Sequence, residues 1–108
     1  MNREGIQEDE LSNVIKEIQS HPNLIVEGVL SHFFDADELY ESTLTDQIAR
    51  FKRMYYKVLD SGFAPEWRHM GNSAAMFKIQ DDFFNAYRPG IALYGYNPLR
   101  ADDPLYKK

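Results

Sequence analysis

Two hydrophobic periods alternate along this short polypeptide, and that alternation limits its fold more than any other feature. Leu11, Val14, Ile15 and Ile18 fall at i, i+3, i+4 and i+7, the apolar stripe of a helix that begins near Gln7 and ends before Pro22. Leu24 to Phe33 then reads Leu-Ile-Val-Glu-Gly-Val-Leu-Ser-His-Phe, a near-continuous apolar and β-branched run of the kind a buried parallel strand requires. Thr43 with Asp46 offers a capping-box start, and Leu44, Ile48, Phe51, Tyr55, Val58 and Leu59 mark a long amphipathic helix ending at Gly62. Trp67 to Met70 reads as a short strand, Ala74 to Lys78 as a helical turn, Ala86 to Arg88 as a strand end and Ile91 to Tyr94 as a further extended piece. Helix, strand, helix, strand and strand in that order imply β-α-β crossovers, a parallel sheet and an α/β fold.

Length limits how much of such a fold is present. The chain has 108 residues, less than half of the roughly 250 that a closed (β/α)8 barrel uses. An apolar content of 44% is ample for a core, and the absence of an 18-residue apolar run argues against a membrane span. A net charge of −5 with dispersed basic residues leaves no electrostatic footprint for nucleic acid or an anionic membrane. With no cysteine, a disulfide framework and a thiolate metal site are excluded, which fits a reducing compartment. The polar first residues lack the apolar core of a signal peptide.

In a parallel sheet the chemistry collects where strands give way to loops at their C-terminal ends. His32 ends the first strand, Asn72 and Ser73 follow the second, and Arg88 with Gly90 and Ile91 follows the third. Each has a plain structural reading beside a functional one. Arg88 reads as an ordinary salt-bridged arginine or as a donor in a site. Ser73 reads as the N-cap of Ala74-Ala75-Met76, Gly90 as a turn glycine, and both readings are compatible with holding an anion. His32 among apolar neighbours reads as a satisfied core histidine or as a site residue. Arg3, near a terminus, reads as a solvent arginine. His32 with Asp35 and Asp37 lacks a second histidine at ligand spacing, so no metal site is expected. His21 and His69 read as structural. The aromatics from Phe51 to Tyr56 occupy more than one helix face and read as core plus a packing surface.

Taken together, Met-Asn-Arg-Glu-Gly-Ile at residues 1–6, Ser-His-Phe at 31–33, Arg-His-Met-Gly-Asn-Ser-Ala-Ala-Met at 68–76 and Tyr-Arg-Pro-Gly-Ile-Ala-Leu-Tyr-Gly at 87–95 resemble the pyridoxal-phosphate-dependent alanine racemases. The resemblance covers residues 1 to about 98, leaving 99–108 as a tail or the start of a linker to a C-terminal β domain. It implies a partial TIM-type (β/α)8 barrel of about three to four parallel strands with covering helices. It also implies that Arg88 donates to the pyridine nitrogen of pyridoxal 5'-phosphate. Ser73 and the backbone of Gly90 and Ile91 would hold the phosphate, with Asn72 beside it and a tyrosine from elsewhere in the intact enzyme. His32 would support Arg88 and link it to a catalytic tyrosine, and Arg3 would reach the cofactor oxygen and the substrate carboxylate. A guanidinium cannot accept a proton, so a ring nitrogen paired with it stays unprotonated and is a weaker electron sink than one paired with a carboxylate.

The same family forms a Schiff base through a lysine in a Val-Lys-Ala-Asn/Asp-Ala-Tyr-Gly segment. Lys16, Lys52, Lys57 and Lys78 do not fit that segment. Its second base, a tyrosine of the partner subunit's β domain, has no counterpart here either. Two opposed bases are needed, one on each face of the substrate, so the chain alone is expected to be inactive. The parent activity implied is interconversion of L- and D-alanine for peptidoglycan by a bacterial cytoplasmic homodimer. Racemisation of another small amino acid such as serine is an alternative. So is a non-catalytic interaction or phosphate-binding module that uses open sheet edges.

Overall fold

The computed structural model describes residues 4–38 and 41–106. Helix α1 spans Leu11–Gln19, strand β1 Gly28–Leu30, helix α2 Glu41–Asp60, strand β2 Trp67–His69 and the short helix α3 Ser73–Lys78. A 3-10 turn at Ile91–Tyr94 follows. The two strands pair in parallel, Gly28 opposite Trp67 and Leu30 opposite His69, with α2 as the crossover between them. A third parallel segment joins through a single bridge between Gly71 and Tyr87. The side-chain amide of Asn85 closes the gap between the last two segments. It accepts from Arg68 N at 2.9 Å and donates to Glu66 O at 2.7 Å, as a strand backbone would.

Both helices bury the faces their periodicity marks. On α1, Leu11 is buried and Val14, Ile15 and Ile18 are half-buried, while the other positions are exposed. On α2, Leu44, Phe51, Tyr55 and Val58 are buried and Ile48 is half-buried, whereas Leu59, expected on the same face, is exposed in the last turn. Glu8 ties the N-terminal segment to the outer face of α2 through Arg53 at 3.1 Å, with Arg50 and Lys57 each at 3.5 Å. Gly62, at φ +96°, ends α2 in the left-handed region, and its N–H donates to Leu59 O at 2.9 Å. The core gathers where α2 and α3 meet the sheet. Phe33, Phe51, Met70, Ala75, Phe84 and Leu99 are among its buried members, and Phe83 stands edge-on to Phe84 with ring centroids 5.3 Å apart.

Five expectations are corrected. Helix α1, expected from near Gln7, begins at Leu11, after a turn in which the Glu10 N–H donates to Gln7 O at 3.1 Å. The Leu24–Phe33 run forms only a three-residue strand, and Ile25 and Leu30 are 85% and 65% exposed. In this two-stranded sheet only the face against α2 and α3, to which Val29 turns, is covered, so Leu30 on the other face stays in solvent. Ala86–Arg88 pairs at Tyr87 alone. The Ile91–Tyr94 segment is a 3-10 turn because Gly95, at φ +81°, reverses the chain and lets the N–H groups of Leu93 and Gly95 bond back to Gly90 O and Ala92 O. Helix α2 starts by Glu41, ahead of the Thr43 cap, since hydroxyl and acidic residues suit the first helical turn as well as the cap itself. Gly28 has a separate duty: a Cβ there would lie 2.8 Å from the Trp67 Cβ, so glycine permits the close approach of β1 to β2.

Candidate functional site

All three parallel segments release polar groups at the same end of the sheet. Ser31 and His32 follow β1, Asn72 and Ser73 follow β2, and Arg88 follows Tyr87. The Arg88 backbone N–H donates to Gly71 O at 2.8 Å, which fixes where its side chain begins. The guanidinium then reaches the other two segments. One terminal nitrogen donates to Nδ1 of His69, while the other donates to Ser31 O at 2.8 Å and to Nδ1 of His32 at 3.1 Å.

A guanidinium has donors and no acceptor, so both Nδ1 atoms must accept, and both imidazoles are neutral with the proton on Nε2. Burial, and then the charge of Arg88, hold the His69 pKa below the ordinary imidazole value, which favours the same neutral form. Burial also lowers the Arg88 pKa from its ordinary value. Among the described residues no carboxylate forms an ion pair with Arg88. Its charge is held by neutral acceptors.

The capping role at α3 belongs to Asn72 rather than Ser73. Asn72 is extended, at φ −90° and ψ −171°, and its Oδ1 accepts from Ala75 N at 3.0 Å. Ser73 is thereby the first helical residue, and its hydroxyl is turned elsewhere. Its Oγ accepts from Gly90 N at 2.8 Å and from Ala92 N at 3.2 Å, on either side of Ile91. Ser73 is buried, yet a Cβ built on Gly90 would meet no atom within 4 Å, so the loop beside the hydroxyl borders open space.

Of the residues singled out in the sequence, His32 meets Arg88 directly and Ser73 meets Gly90 directly, with Ile91 between the two N–H groups that Ser73 accepts from. Asn72 lies beside Ser73 with its side-chain oxygen committed to the cap. Arg3 lies outside the described residues. The neighbouring segment Glu4–Gln7 lines a cavity of about 720 Å³ together with Ser31, His32 and Arg88. His32 is exposed rather than a core histidine. His69, read as structural from the sequence, is a site residue that the reading missed. The signal was its position: it ends β2 as His32 follows the end of β1, so two histidines stand at adjacent parallel strand ends. His21 caps α1 locally, its Nδ1 2.8 Å from Glu17 O. Among the described residues no three His, Asp or Glu side chains group as a metal site, and no helix is long and apolar enough to cross a membrane.

Residues 1–98 match the family model of the alanine racemase N-terminal domain. The alanine racemase of Geobacter sulfurreducens is 40% identical over 101 residues, covering 91% of this chain and 26% of that protein. A crystal structure of alanine racemase from Bacillus anthracis with bound L-Ala-P superposes with a TM-score of 0.82 at 39% identity, over 91% of this chain and 26% of that one. The Bartonella henselae alanine racemase with covalently bound pyridoxal phosphate gives a TM-score of 0.69 at 29% identity, over 97% of this chain and 28% of that one. The chain thus spans about a quarter of the length of the relatives it matches, and its parallel strands and helices are part of the racemase TIM-type barrel. By sequence and by fold, this chain belongs to the alanine racemase N-terminal domain family.

Proposed function

We propose that this chain is the part of an alanine racemase barrel that receives the ring-nitrogen and phosphate ends of pyridoxal 5'-phosphate. The intact enzyme in this reading interconverts L- and D-alanine for peptidoglycan as a cytoplasmic homodimer. Residues 99–108 lead toward its second domain, an extension anchored by buried Leu99 and by the 2.8 Å Asp103–Lys78 ion pair. One observation carries the reading. Arg88, held by neutral acceptors from two other strand ends, stands two residues before the point where Ser73 meets the Gly90–Ala92 turn.

The residues present suit the cofactor. Among the described residues no carboxylate competes for Arg88, which offers a cationic donor, and the Ser73 hydroxyl, already accepting from the Gly90 and Ala92 N–H groups, keeps its own proton to donate beside the Gly90–Ile91 backbone and open space. Bound pyridoxal phosphate supplies an electron-withdrawing ring that acidifies the α-hydrogen of an amino acid. Arg88 contributes a donor that cannot be deprotonated near neutral pH, so a nitrogen facing it receives a hydrogen bond and no proton. That limits electron withdrawal and favours proton exchange at the α-carbon over transamination. His69 and His32 hold the guanidinium in place by accepting from it, and Asn72 holds α3 so that the Ser73 hydroxyl stays turned to Gly90.

The reading is tested by equilibrium dialysis of pyridoxal 5'-phosphate against the full chain and its Arg88→Lys and Ser73→Ala variants. Loss of one charge-assisted hydrogen bond weakens binding by about tenfold or more in each case. Equal binding by all three proteins contradicts it.

A further inference from the structure

Arg88 is placed by a contact one residue earlier in the chain. Tyr87 bridges to Gly71, and its ring occupies the space where a side chain at residue 71 would begin. A Cβ built on Gly71 would lie 2.7 Å from Cε1 and 3.3 Å from Cγ of Tyr87, and closer still to Cδ1. Approaches under 3.0 Å are essentially never seen for real Cβ atoms. The backbone does not itself ask for glycine, because Gly71 is not among the glycines with positive φ, which are Gly5, Gly62 and Gly95. It is the tyrosine ring that demands it.

That ring is fixed at both ends. On the backbone side, Gly71 O accepts from Arg88 N at 2.8 Å. At the far end, the phenol donates to Ile79 O at 3.1 Å, at the C-terminal end of α3. Helix α3 is six residues long and starts at Ser73. One side chain therefore ties the helix that carries Ser73 to the segment that carries Arg88, and the missing side chain at Gly71 sets how close the two come.

We propose that Gly71 and Tyr87 are a size-matched positioning pair that sets the depth of Arg88 at the strand ends, and with it the spacing between Arg88 and Ser73. The functional half of this inference rests on Arg88 being the ring-nitrogen donor. A methyl group at residue 71 pushes the ring or the strand outward, and the displacement passes to the next residue, Arg88. A smaller side chain at residue 87 gives the methyl group room. The pair is then exchangeable as a unit and intolerant of change in Gly71 alone.

The experiment uses the full chain with His69 titrated by NMR in the absence of ligand, beside pyridoxal 5'-phosphate binding, for wild type, Gly71→Ala and Gly71→Ala/Tyr87→Val. In Gly71→Ala the His69 titration moves up toward the ordinary imidazole value as Arg88 withdraws, and binding weakens by about tenfold. The double variant returns both to wild type. A Gly71→Ala chain whose His69 titrates as in wild type overturns the proposal, as does a folded double variant that titrates like the single one. Should Gly71→Ala not fold, the double variant decides alone: wild-type titration supports the pairing, and free-imidazole titration or failure to fold overturns it. If wild type binds no pyridoxal phosphate while the His69 titrations follow the expected pattern, the pair stands and the reading of Arg88 falls.

Discussion

The Arg88 guanidinium donates to Nδ1 of His69 across two neighbouring strand ends, and this fixes the protonation of both side chains. The arginine holds its charge, while the histidine must be neutral to accept. Burial and then the Arg88 charge depress the His69 pKa, so the folded state resists protonation at this ring more than the unfolded chain does. The stability this supplies is present above the unfolded value near 6.5 and is lost as pH falls through the lower, folded value. Thermal midpoints measured from pH 8 downward therefore decline below about pH 6.5, and His69→Gln flattens that part of the curve.

A second pH effect lies lower. Lys78, by its hydrogen bond and then the Leu105 backbone N–H, holds the Asp103 carboxyl below the ordinary carboxylate value. This contribution is present above an unfolded pKa near 3.9 and is lost as pH falls toward the folded value. Lys78→Ala leaves the buried Asp103 without its partner. It is expected to lower the thermal midpoint at pH 7 and to speed proteolytic cleavage within residues 99–106, with a smaller difference from wild type at pH 3.

Removal of the Ser73 hydroxyl deprives two backbone N–H groups of their acceptor. Ser73→Ala is expected to cost about 1–3 kcal/mol in urea unfolding. Its local signature is faster hydrogen exchange at Gly90 and Ala92, with the protection of α2 amides falling only by the global loss.

The aromatic cluster supplies a core test away from the site. Phe84 is buried and packs on Phe33, Phe51 and Phe83. Phe84→Ala should destabilise the chain by about 3–5 kcal/mol, whereas exposed Tyr56→Ala should change the unfolding free energy by well under half of that.

Helical spacing made α1 and α2 legible as elements, because each helix buries one stripe and Leu11, Leu44, Phe51, Tyr55 and Val58 mark it, but their starts were misplaced: α1 begins at Leu11 rather than near Gln7, and α2 by Glu41 ahead of Thr43. The strands were overdrawn. Leu24 to Phe33 has the composition of a buried strand, but hydrogen-bonding partners decide how much of such a run pairs, and β2 offers only three positions. Ile91–Tyr94 was misassigned since four apolar residues between glycines fit an extended segment or a 3-10 turn equally well. At the site, the motifs pointed to His32, Ser73, Gly90 and Arg88, and the structure brings these into two adjoining clusters. His69 escaped notice because a lone histidine in a strand carries no periodic signal, and its role depends on which strand end lies next to it. Gly71 escaped for a similar reason: nothing local announces that a tyrosine sixteen positions later will need its empty side.

The central claim is that pyridoxal phosphate meets this chain at Arg88 and at the Gly90–Ile91 turn. Titrating the isotope-labelled full chain with pyridoxal 5'-phosphate, and in parallel with unphosphorylated pyridoxal, tests this by NMR. Saturable shifts are expected at the Gly90 and Ile91 amides and at the Arg88 guanidinium, with the Gly90 and Ile91 shifts lost when the phosphate is removed. Shifts confined to other residues, or none at these positions at saturating ligand, would contradict it.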